Sequence, residues 1–474
     1  MHKRSPIVKF RSSFRLLMAL TALVGGCKVG PRYHRPALQV PEAFRGAQDT
    51  ARAVSLGEAK WSEVFRDTVL QHLIGRAIEQ NYDIRIAAAR VAQAQAVLRI
   101  RRADQFPVVT GSATARRERT PERRQGTDVI PPITDNLFDI NVMLSWELDF
   151  WGKFRSGTEA ERANLLSTRW AARAVMTTVI SLVAEGYFQL RELDLELAIA
   201  RRTLVARQES LELTRVQEAG GVVSLLDVRQ AEQLVYSAQT AITNTEQLIE
   251  QQENALRVLL AQNPGPIPRG LTIVEQPTPP EIPAGLPSRL LERRPDIRQA
   301  EYALIAANAE IGVAKAALFP AITLTAIGGK ESNTLARLVQ GPATYWSVAT
   351  GLVQQIFNAG KLRAQVKLTE AQKEELVYTY RRTVQQSFRE VSDALIAYQK
   401  SREFRAEQTL LVAATQDAAR LSDIRYRGGA TSYIEVLISQ AAYFNSELDL
   451  ARARLNELRA LVQCYRALGG GWVN

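Results

Sequence analysis

The chain contains an internal tandem duplication, and the repeated unit constrains its fold more than any single residue does. Residues 83–107 match residues 296–320, which lie 213 positions later, and both segments run through an alanine-rich stretch to a Phe-Pro pair. Residues 220–228 match residues 428–436 at an offset of 208. The near-constant offset indicates that one structural unit of roughly 200 residues was duplicated in tandem.

The N-terminus is typical of an exported lipoprotein. Five Lys or Arg residues precede the apolar run 16–24, which has the length of a signal-peptide core and is too short to span a bilayer. Gly25 and Gly26 come directly before Cys27, as in a lipoprotein processing site. We expect residues 1–26 to be removed and Cys27 to carry covalent N-acyl (palmitate) and diacylglycerol lipid. Lys28 is not the aspartate that retains lipoproteins at the inner membrane, so the outer membrane is favoured; the alternative is a buried or chance cysteine.

Alternating apolar and polar residues predict membrane β-strands. Six apolar side chains occupy every second position from Phe138 to Leu148, and the duplicate shows a similar pattern from Trp346. Weaker alternation follows each Phe-Pro pair. The predicted strands lie near 106–117, 137–150, 319–329 and 344–357. The alternative, a half-buried strand in a soluble sandwich, lacks further strands to form a second sheet.

Four strands per chain cannot close a barrel alone. Open strand edges in lipid leave backbone groups unpaired at several kcal/mol each, and membrane barrels need about eight strands or more. We therefore expect an oligomer, in which two copies give eight strands and three copies give twelve.

Long helices follow each predicted strand pair. Residues 154–263 and 361–468 contain no proline, and each stretch is interrupted by a Gly-Gly pair that suits a tight reversal. Each is predicted to form a helical hairpin with coiled-coil spacing. The first arm of the first hairpin, Phe154 to Glu218, is predicted to be roughly 97 Å long at about 1.5 Å per residue. A paired coiled coil can also be a soluble rod, but here it follows directly from the predicted membrane strands.

The predicted organisation is an α+β membrane protein with an internal tandem duplication. Its segments are the signal peptide 1–26, a lipid-anchored tether and equatorial segment 27–60, a first repeat 61–263, a Pro-rich connector 264–295 holding nine of the nineteen prolines, a second repeat 296–468 and a C-terminal tail 469–474.

Composition argues against several other functions. Net charge is +11, but five of the basic residues lie in the predicted signal peptide, and no basic cluster is interleaved with aromatic residues as a nucleic-acid surface needs. We find no zinc-ligand spacing, phosphate loop or nucleophile elbow. No enzyme activity, metal or diffusible cofactor is therefore predicted. With Cys27 acylated, Cys464 stays unpaired and is expected to be a small packed residue.

The chain resembles the outer membrane factor (TolC-like) family, in its NodT-type lipoprotein branch. The resemblance covers essentially the whole mature chain and rests on residues 27–36, Leu286–Ser288, Leu291–Asp296, Ala306–Gly312 and the terminal Ala467–Trp472. It implies a homotrimer with a twelve-stranded outer-membrane β-barrel, a mixed equatorial region and a twelve-helix periplasmic barrel. It also implies the passive exit channel of a tripartite efflux pump for drugs or other toxic small molecules. The implied partners are a periplasmic membrane-fusion adaptor and an inner-membrane transporter of the RND type.

The same resemblance implies a gate at the hairpin tips. Asp227 and Tyr426 match tie partners between neighbouring helix pairs, although Asp227 can instead cap a helix after Ser224. Glu435 matches an acidic ring position, but the second acidic position is Ile438 here and a basic tie position is Thr431. Copies of Ile434 and Ile438 are an alternative apolar plug, since hydrophobic constrictions gate by dewetting.

The tips are also where an adaptor is expected to dock. The predicted contact residues are Gly220, Gly221, Ser224, Gly428, Gly429 and Ser432. Their sequence does not indicate which adaptor they meet.

Three other functions remain as alternatives at this stage. The first is the exit duct of a type I protein or polysaccharide secretion system, which uses the same architecture. The second is a lipid-anchored envelope enzyme, which needs a catalytic constellation. The third is a coiled-coil spacer, which does not explain the alternating strands.

Overall fold

The computed structural model describes residues 28–47, 55–125, 128–279, 281–340 and 342–472, without the side chains of 123–129 and 340. The predicted signal peptide and the lipidation site Cys27 lie outside the described residues. Two compact units divide the chain, and each is interrupted by the other along the sequence. The first comprises Met1–Pro36, Ala92–Ser167 and Glu301–Thr379, and the second comprises Ala37–Val91, Thr168–Ala300 and Tyr380–Asn474.

The first repeat contains short helices, strands and then two long helices. After a 3-10 turn at Leu56–Glu58, its elements are α1 (Trp61–Val64), α2 (Thr68–Gln80), α3 (Tyr82–Ala103), β1 (Val108–Arg119), β2 (Arg123–Gln125), β3 (Asp128–Ile130), β4 (Thr134–Leu148), α4 (Lys153–Ala219) and α5 (Leu225–Leu259). The small hairpin of β2 and β3 lies in the segment between the two predicted strands, where the sequence pattern predicted no strand.

The second repeat has a similar order, with a short helix where the first repeat has the β2–β3 hairpin. Its elements are α6 (Pro287–Arg293), α7 (Pro295–Ala316), β5 (Ala321–Ser332), α8 (Leu335–Gln340), β6 (Thr344–Val353), α9 (Lys361–Arg427) and α10 (Tyr433–Ala467). Helices α4 and α9 each have 67 residues, and α5 and α10 each have 35. Strand β6 ends at Val353, so Gln354 and Ile356, which continue the alternation in the sequence, follow the strand. Helix α6 lies inside the predicted Pro-rich connector.

The first unit contains one four-stranded sheet in the order β1-β4-β5-β6, and every neighbouring pair is antiparallel. Because side chains alternate along a strand, the register defines two faces. Phe138, Ile140, Val142, Leu144, Trp146 and Leu148 share one face, as their spacing predicts. Their partners on β1 and β5 include Ala115, Ala113, Ala326, Leu324 and Ile322, so we call this side the apolar face. Ser112, Asp139 and Asn141 lie on the opposite, polar face.

The second unit is built around a helical core. Its buried apolar side chains come from α2, α4, α5, α10 and the segment after α5, and Tyr187, Phe188 and Tyr465 are among the largest. Buried Asp67 caps α2 and accepts hydrogen bonds from the Tyr187 hydroxyl at 2.9 Å and the backbone N–H of Leu271 at 2.9 Å. This carboxylate therefore ties the Pro-rich connector to the helical core.

Cys464 is buried in α10 and unpaired, and burial raises the pKa of its thiol to about 12. A neutral thiol in such surroundings behaves as a small apolar residue, which agrees with its predicted packing role. Among the described residues, no helix combines the length and the apolar character that crossing a bilayer requires.

Candidate functional site

The first hairpin turn is a Schellman motif at the end of α4. The backbone N–H of Gly221 donates to the carbonyl of Glu218 at 2.9 Å, and that of Val222 donates to Gln217 at 2.9 Å. Gly221 has a φ of +71°, a conformation that glycine adopts without strain. A Cβ at this position would meet nothing within 4 Å, so the backbone angle alone accounts for the glycine.

The second hairpin turn repeats this geometry at the end of α9. Gly429 donates to the carbonyl of Tyr426 at 2.9 Å, Ala430 donates to Arg425 at 2.9 Å, and Gly429 has a φ of +70°. The sequence match at an offset of 208 thus corresponds to the same local structure in both repeats. We call the two turns, with the first helical turn that follows each, the tips.

Asp227 acts as a helix cap in the first tip. Its Oδ2 atom accepts hydrogen bonds from the backbone N–H of Ser224 at 2.9 Å and from the Ser224 hydroxyl at 2.8 Å. The Asp227 N–H in turn points to the Ser224 hydroxyl oxygen at 3.4 Å, which completes a capping box at the start of α5. The helix-cap alternative for Asp227 therefore applies within this chain.

Glu435 occupies the equivalent position of the second tip but bonds differently. Ser432 precedes α10 without a side-chain capping bond. The Glu435 carboxylate instead accepts a hydrogen bond from the Thr431 hydroxyl and one from Arg425 Nη1, the latter at 3.1 Å. The family resemblance implies a basic residue at the position of Thr431. Here the Thr431 hydroxyl donates a hydrogen bond to the Glu435 carboxylate instead. The positive partner is Arg425, to which sequence reasoning assigned no role.

Tyr426 lies against the second tip and bonds across to the first repeat. Its ring packs edge-to-face on Tyr433 with centroids 5.2 Å apart, and its hydroxyl donates to Gln217 Oε1 at 3.2 Å. Burial, with a further contribution from the negative charge of Asp227, raises the pKa of Tyr426. Asp227 and Tyr426 are therefore within electrostatic range in one chain, while the direct hydrogen-bond partner is Gln217, which sequence reasoning missed.

The two isoleucines proposed as a plug point away from the packed interior. Ile434 is 51% exposed and Ile438 is 60% exposed, and they lie one helical turn apart on the same face of α10. Tyr433 and Val436, on another face, are buried in a cluster with Leu211, Val228, Ala231 and Val235. The tip of each chain therefore has a packed core and an unpartnered apolar face. Leu225 and Leu226 give the first tip an equally exposed pair, which the sequence analysis did not single out.

The family model described as outer membrane efflux protein matches residues 73–262 and 286–470, one segment in each repeat. The chain belongs to this family.

Individual relatives are similar in sequence over nearly the full length of the chain. The toluene efflux pump outer membrane protein TtgI of Pseudomonas putida is 37% identical over 471 residues, which cover 98% of this chain and 99% of the relative. The cation efflux system protein CusC of Escherichia coli is 34% identical over 466 residues, which cover 97% and 98%. A crystal structure of CusC superimposes with a TM-score of 0.85 at 32% identity, covering 94% of this chain and 100% of the other.

These findings confirm the family predicted from the sequence motifs and identify the chain as an outer-membrane efflux channel. They do not favour the secretion-duct alternative, since the relatives are named as efflux proteins. The envelope enzyme and the coiled-coil spacer are likewise not supported.

Proposed function

We propose that this chain forms the passive exit channel of a tripartite efflux pump, as a homotrimer in the outer membrane. The observation that carries the proposal is the four-stranded antiparallel sheet with one apolar face, whose outer strands β1 and β6 each have one partner among the described strands. Three copies joined through these strands form a closed twelve-stranded barrel.

Barrel closure follows from the energetics of the backbone in lipid. An edge strand presents unpaired N–H and C=O groups, each costing several kcal/mol in hydrocarbon. Pairing β6 of one copy with β1 of the next removes every such edge. Two copies would give eight strands, but the family resemblance favours three.

We further propose that the helical hairpins of the three copies form the periplasmic barrel, with the tips as its gate. In the closed state, Ile434 and Ile438 of the three copies meet on the channel axis, and the ties of Tyr426 and Glu435 hold the helices. Support comes from the exposure of both isoleucines and the polar bonds around each tip. The tip turns at Gly220, Gly221, Ser224, Gly428, Gly429 and Ser432 are the proposed docking site for a membrane-fusion adaptor, which connects to an inner-membrane RND transporter.

Lipid on Cys27 is proposed to anchor the mature N-terminus in the inner leaflet of the outer membrane. Residues that follow Cys27 are fixed to the first unit. Asn308 donates to the carbonyl of Pro31 at 2.9 Å, and Arg35 Nη2 donates to Glu301 at 2.7 Å. A short tether between the anchor and these contacts keeps the acyl chains beside the barrel.

The proposed cargo is a set of toxic small molecules rather than protein. TtgI is named for toluene efflux and CusC for cation efflux. This chain is similarly related to both, so its similarity to relatives does not distinguish between these cargoes. Cargo choice is therefore assigned to the partner transporter.

A susceptibility panel on a deletion strain tests the function. It covers lipophilic antibiotics, organic solvents, bile salts and metal ions, with the intact gene restored as the control. We expect hypersensitivity to at least one group and its reversal by the intact gene. Unchanged susceptibility together with loss of a secreted protein would instead establish a secretion duct.

A further inference from the structure

The sheet of the first unit has a basic rim on its apolar face. Strands β1 and β5 end, and β4 and β6 begin, at one edge of the sheet, which we call the loop edge; the opposite edge leads to helices. Arg117 and Arg119 occupy the last two apolar-face positions of β1. Lys330 lies on the same face of β5, near its end at the loop edge.

The register fixes this placement. Arg117 pairs with Asn136 and Arg119 pairs with Thr134, while Lys330 pairs with Ile140 on one side and Thr344 on the other. All three cations are exposed. None of their ladder partners is acidic, and within the described part of the chain none of the three forms an ion pair.

The acidic residues of the same edge lie on the polar face. Glu118 pairs with Asp135, and Asp139 pairs with Glu331. The remaining cation of β1, Arg116, also lies on that face and forms an ion pair with Glu118 at 2.5 Å. On these strands the acidic side chains near the loop edge therefore lie on the polar face, whereas the cations that form no ion pair among the described residues lie on the apolar face.

The apolar band below this rim has the thickness of a bilayer core. Phe138 and Leu148 are ten residues apart on β4, about 34 Å along a strand and about 26 Å at a typical barrel tilt, against an apolar band of about 25 Å. Arg117 and Arg119 then lie at headgroup level, and the long side chain of Lys330 reaches it by snorkelling.

We propose that Arg117, Arg119 and Lys330 bind the phosphate groups of phosphorylated glycolipid (lipid A type) in the outer leaflet. This inference rests on the proposed outer-membrane barrel. Guanidinium groups bind phosphate oxygens in pairs, lysine adds a compact charge, and the apolar band accepts the acyl chains. Arg117 and Arg119 are two residues apart, about 7 Å along the strand, so neighbouring phosphates can be bound together.

The test compares three purified full-length proteins in lipid nanodiscs. The rim variant is Arg117→Gln, Arg119→Gln and Lys330→Gln. The control variant, Arg116→Gln, Arg381→Gln and Arg382→Gln, loses the same charge from exposed positions outside the apolar face, one on the polar face of β1 and two on α9. Native mass spectrometry measures binding of bisphosphorylated lipid A, dephosphorylated lipid A and phosphatidylglycerol. We expect the rim variant to lose about tenfold or more of its affinity for bisphosphorylated lipid A, and the control variant to match the parent.

Equal affinity of the parent and the rim variant for bisphosphorylated lipid A would overturn the inference, as would an equal loss for the dephosphorylated lipid. A parallel loss for phosphatidylglycerol would assign the rim to anionic lipid in general and would overturn the glycolipid assignment. Conductance in planar bilayers separates failure of the basic-rim inference from failure of the proposed channel function. A parent that conducts but fails the lipid test refutes only the basic rim, whereas a parent that neither inserts nor conducts refutes the proposed channel as well.

Arg117→Lys with Arg119→Lys keeps the charge, and we expect its affinity to fall between those of the parent and the rim variant.

Discussion

Ser224 and Asp227 satisfy each other's hydrogen bonds at the start of α5. The Asp227 carboxylate accepts from both the backbone N–H and the hydroxyl of Ser224, at 2.9 and 2.8 Å. This local bond and the field of Asp227 on Tyr426 involve the same carboxylate. Substitution of Asp227 therefore affects helix capping and gating together, and the two effects need separate measurements.

The capping role predicts a local loss of stability. Asp227→Ala removes the carboxylate half of the capping box at the start of α5, while Ser224 remains as the N-cap. We expect about 1 kcal/mol less protection of the first helical turn. Hydrogen exchange at residues 225–228 measures this loss. Ser224→Ala should give a similar loss, and the double variant should be less than additive because both changes remove one capping box. Strictly additive losses of protection in the double variant would contradict the reciprocal hydrogen bonding of Ser224 and Asp227.

The Tyr426 contact predicts a change in channel conductance. Tyr426→Phe removes the hydroxyl that donates to Gln217 while keeping the edge-to-face contact of the ring with Tyr433. If this bond helps hold the closed tip, Tyr426→Phe combined with Asp227→Ala raises single-channel conductance, and Gln217→Ala alone raises it in the same direction. Tyr378→Phe, an exposed tyrosine elsewhere on α9, is the control. Conductance equal to the parent in both tip variants would refute the tie.

The exposed isoleucines predict a dewetting gate. Ile434→Ser with Ile438→Ser places hydroxyl groups where three apolar copies are proposed to meet, so water and ions enter more easily. We expect a higher ion conductance without adaptor. Leu410→Ser, at a similarly exposed site on α9, should leave conductance unchanged. A gate held only by polar ties would show no difference between the isoleucine variant and the parent.

A buried acidic pair predicts a pH-dependent stability. Glu192 is 4% exposed, and Arg452 Nε donates to its neighbour Glu196 at 3.0 Å. Burial first, and then the charge of Glu196, raises the pKa of Glu192 from 4.5 to about 8, while Arg452 and Arg459 partly oppose the shift. A carboxyl group that holds its proton more tightly when folded stabilises the fold at low pH. That stability is lost as pH rises from the unfolded value toward about 8.

Glu192→Gln should therefore remove the loss of folding stability that accompanies rising pH. We expect its melting temperature to match that of the parent near pH 4.5 and to exceed it by roughly 3 °C or more above pH 8. Thermal unfolding in detergent at both pH values measures the difference. Glu407→Gln, at an exposed site on α9, serves as the control. A difference in melting temperature between Glu192→Gln and the parent that stays constant across the pH range would refute the raised pKa of Glu192.

The lipid anchor is tested by Cys27→Ser. We expect this variant to lose incorporation of labelled palmitate and to keep an uncleaved signal peptide, because the thiol is the acceptor of the diacylglycerol. Cys464→Ser controls for the loss of a cysteine, since this thiol is buried and unpaired. Palmitate labelling of the Cys27→Ser protein at the parent level would show that Cys27 is not the lipidation site.

The sequence by itself determined the features that depend on local rules. Alternation from Phe138 to Leu148 specifies which side chains share a face of β4, because the side-chain period of a strand is two. Gly221 and Gly429 mark the reversals, since a left-handed backbone angle is a property of one residue. Duplication then transfers each feature to the second repeat, and family membership follows from the ordered motifs.

Only the tertiary structure decided which distant groups meet. Tyr426 bonds to Gln217, which lies 209 residues away in the sequence, and the pairing depends on how α4 and α9 pack at the tip. The basic rim emerges only from the register of β1, β4, β5 and β6, since a shift of one residue would move Arg117 and Arg119 to the polar face. Glu192 has a raised pKa because packing excludes water from it. Such contacts depend on the relative positions of whole elements, which local propensity and periodicity do not specify.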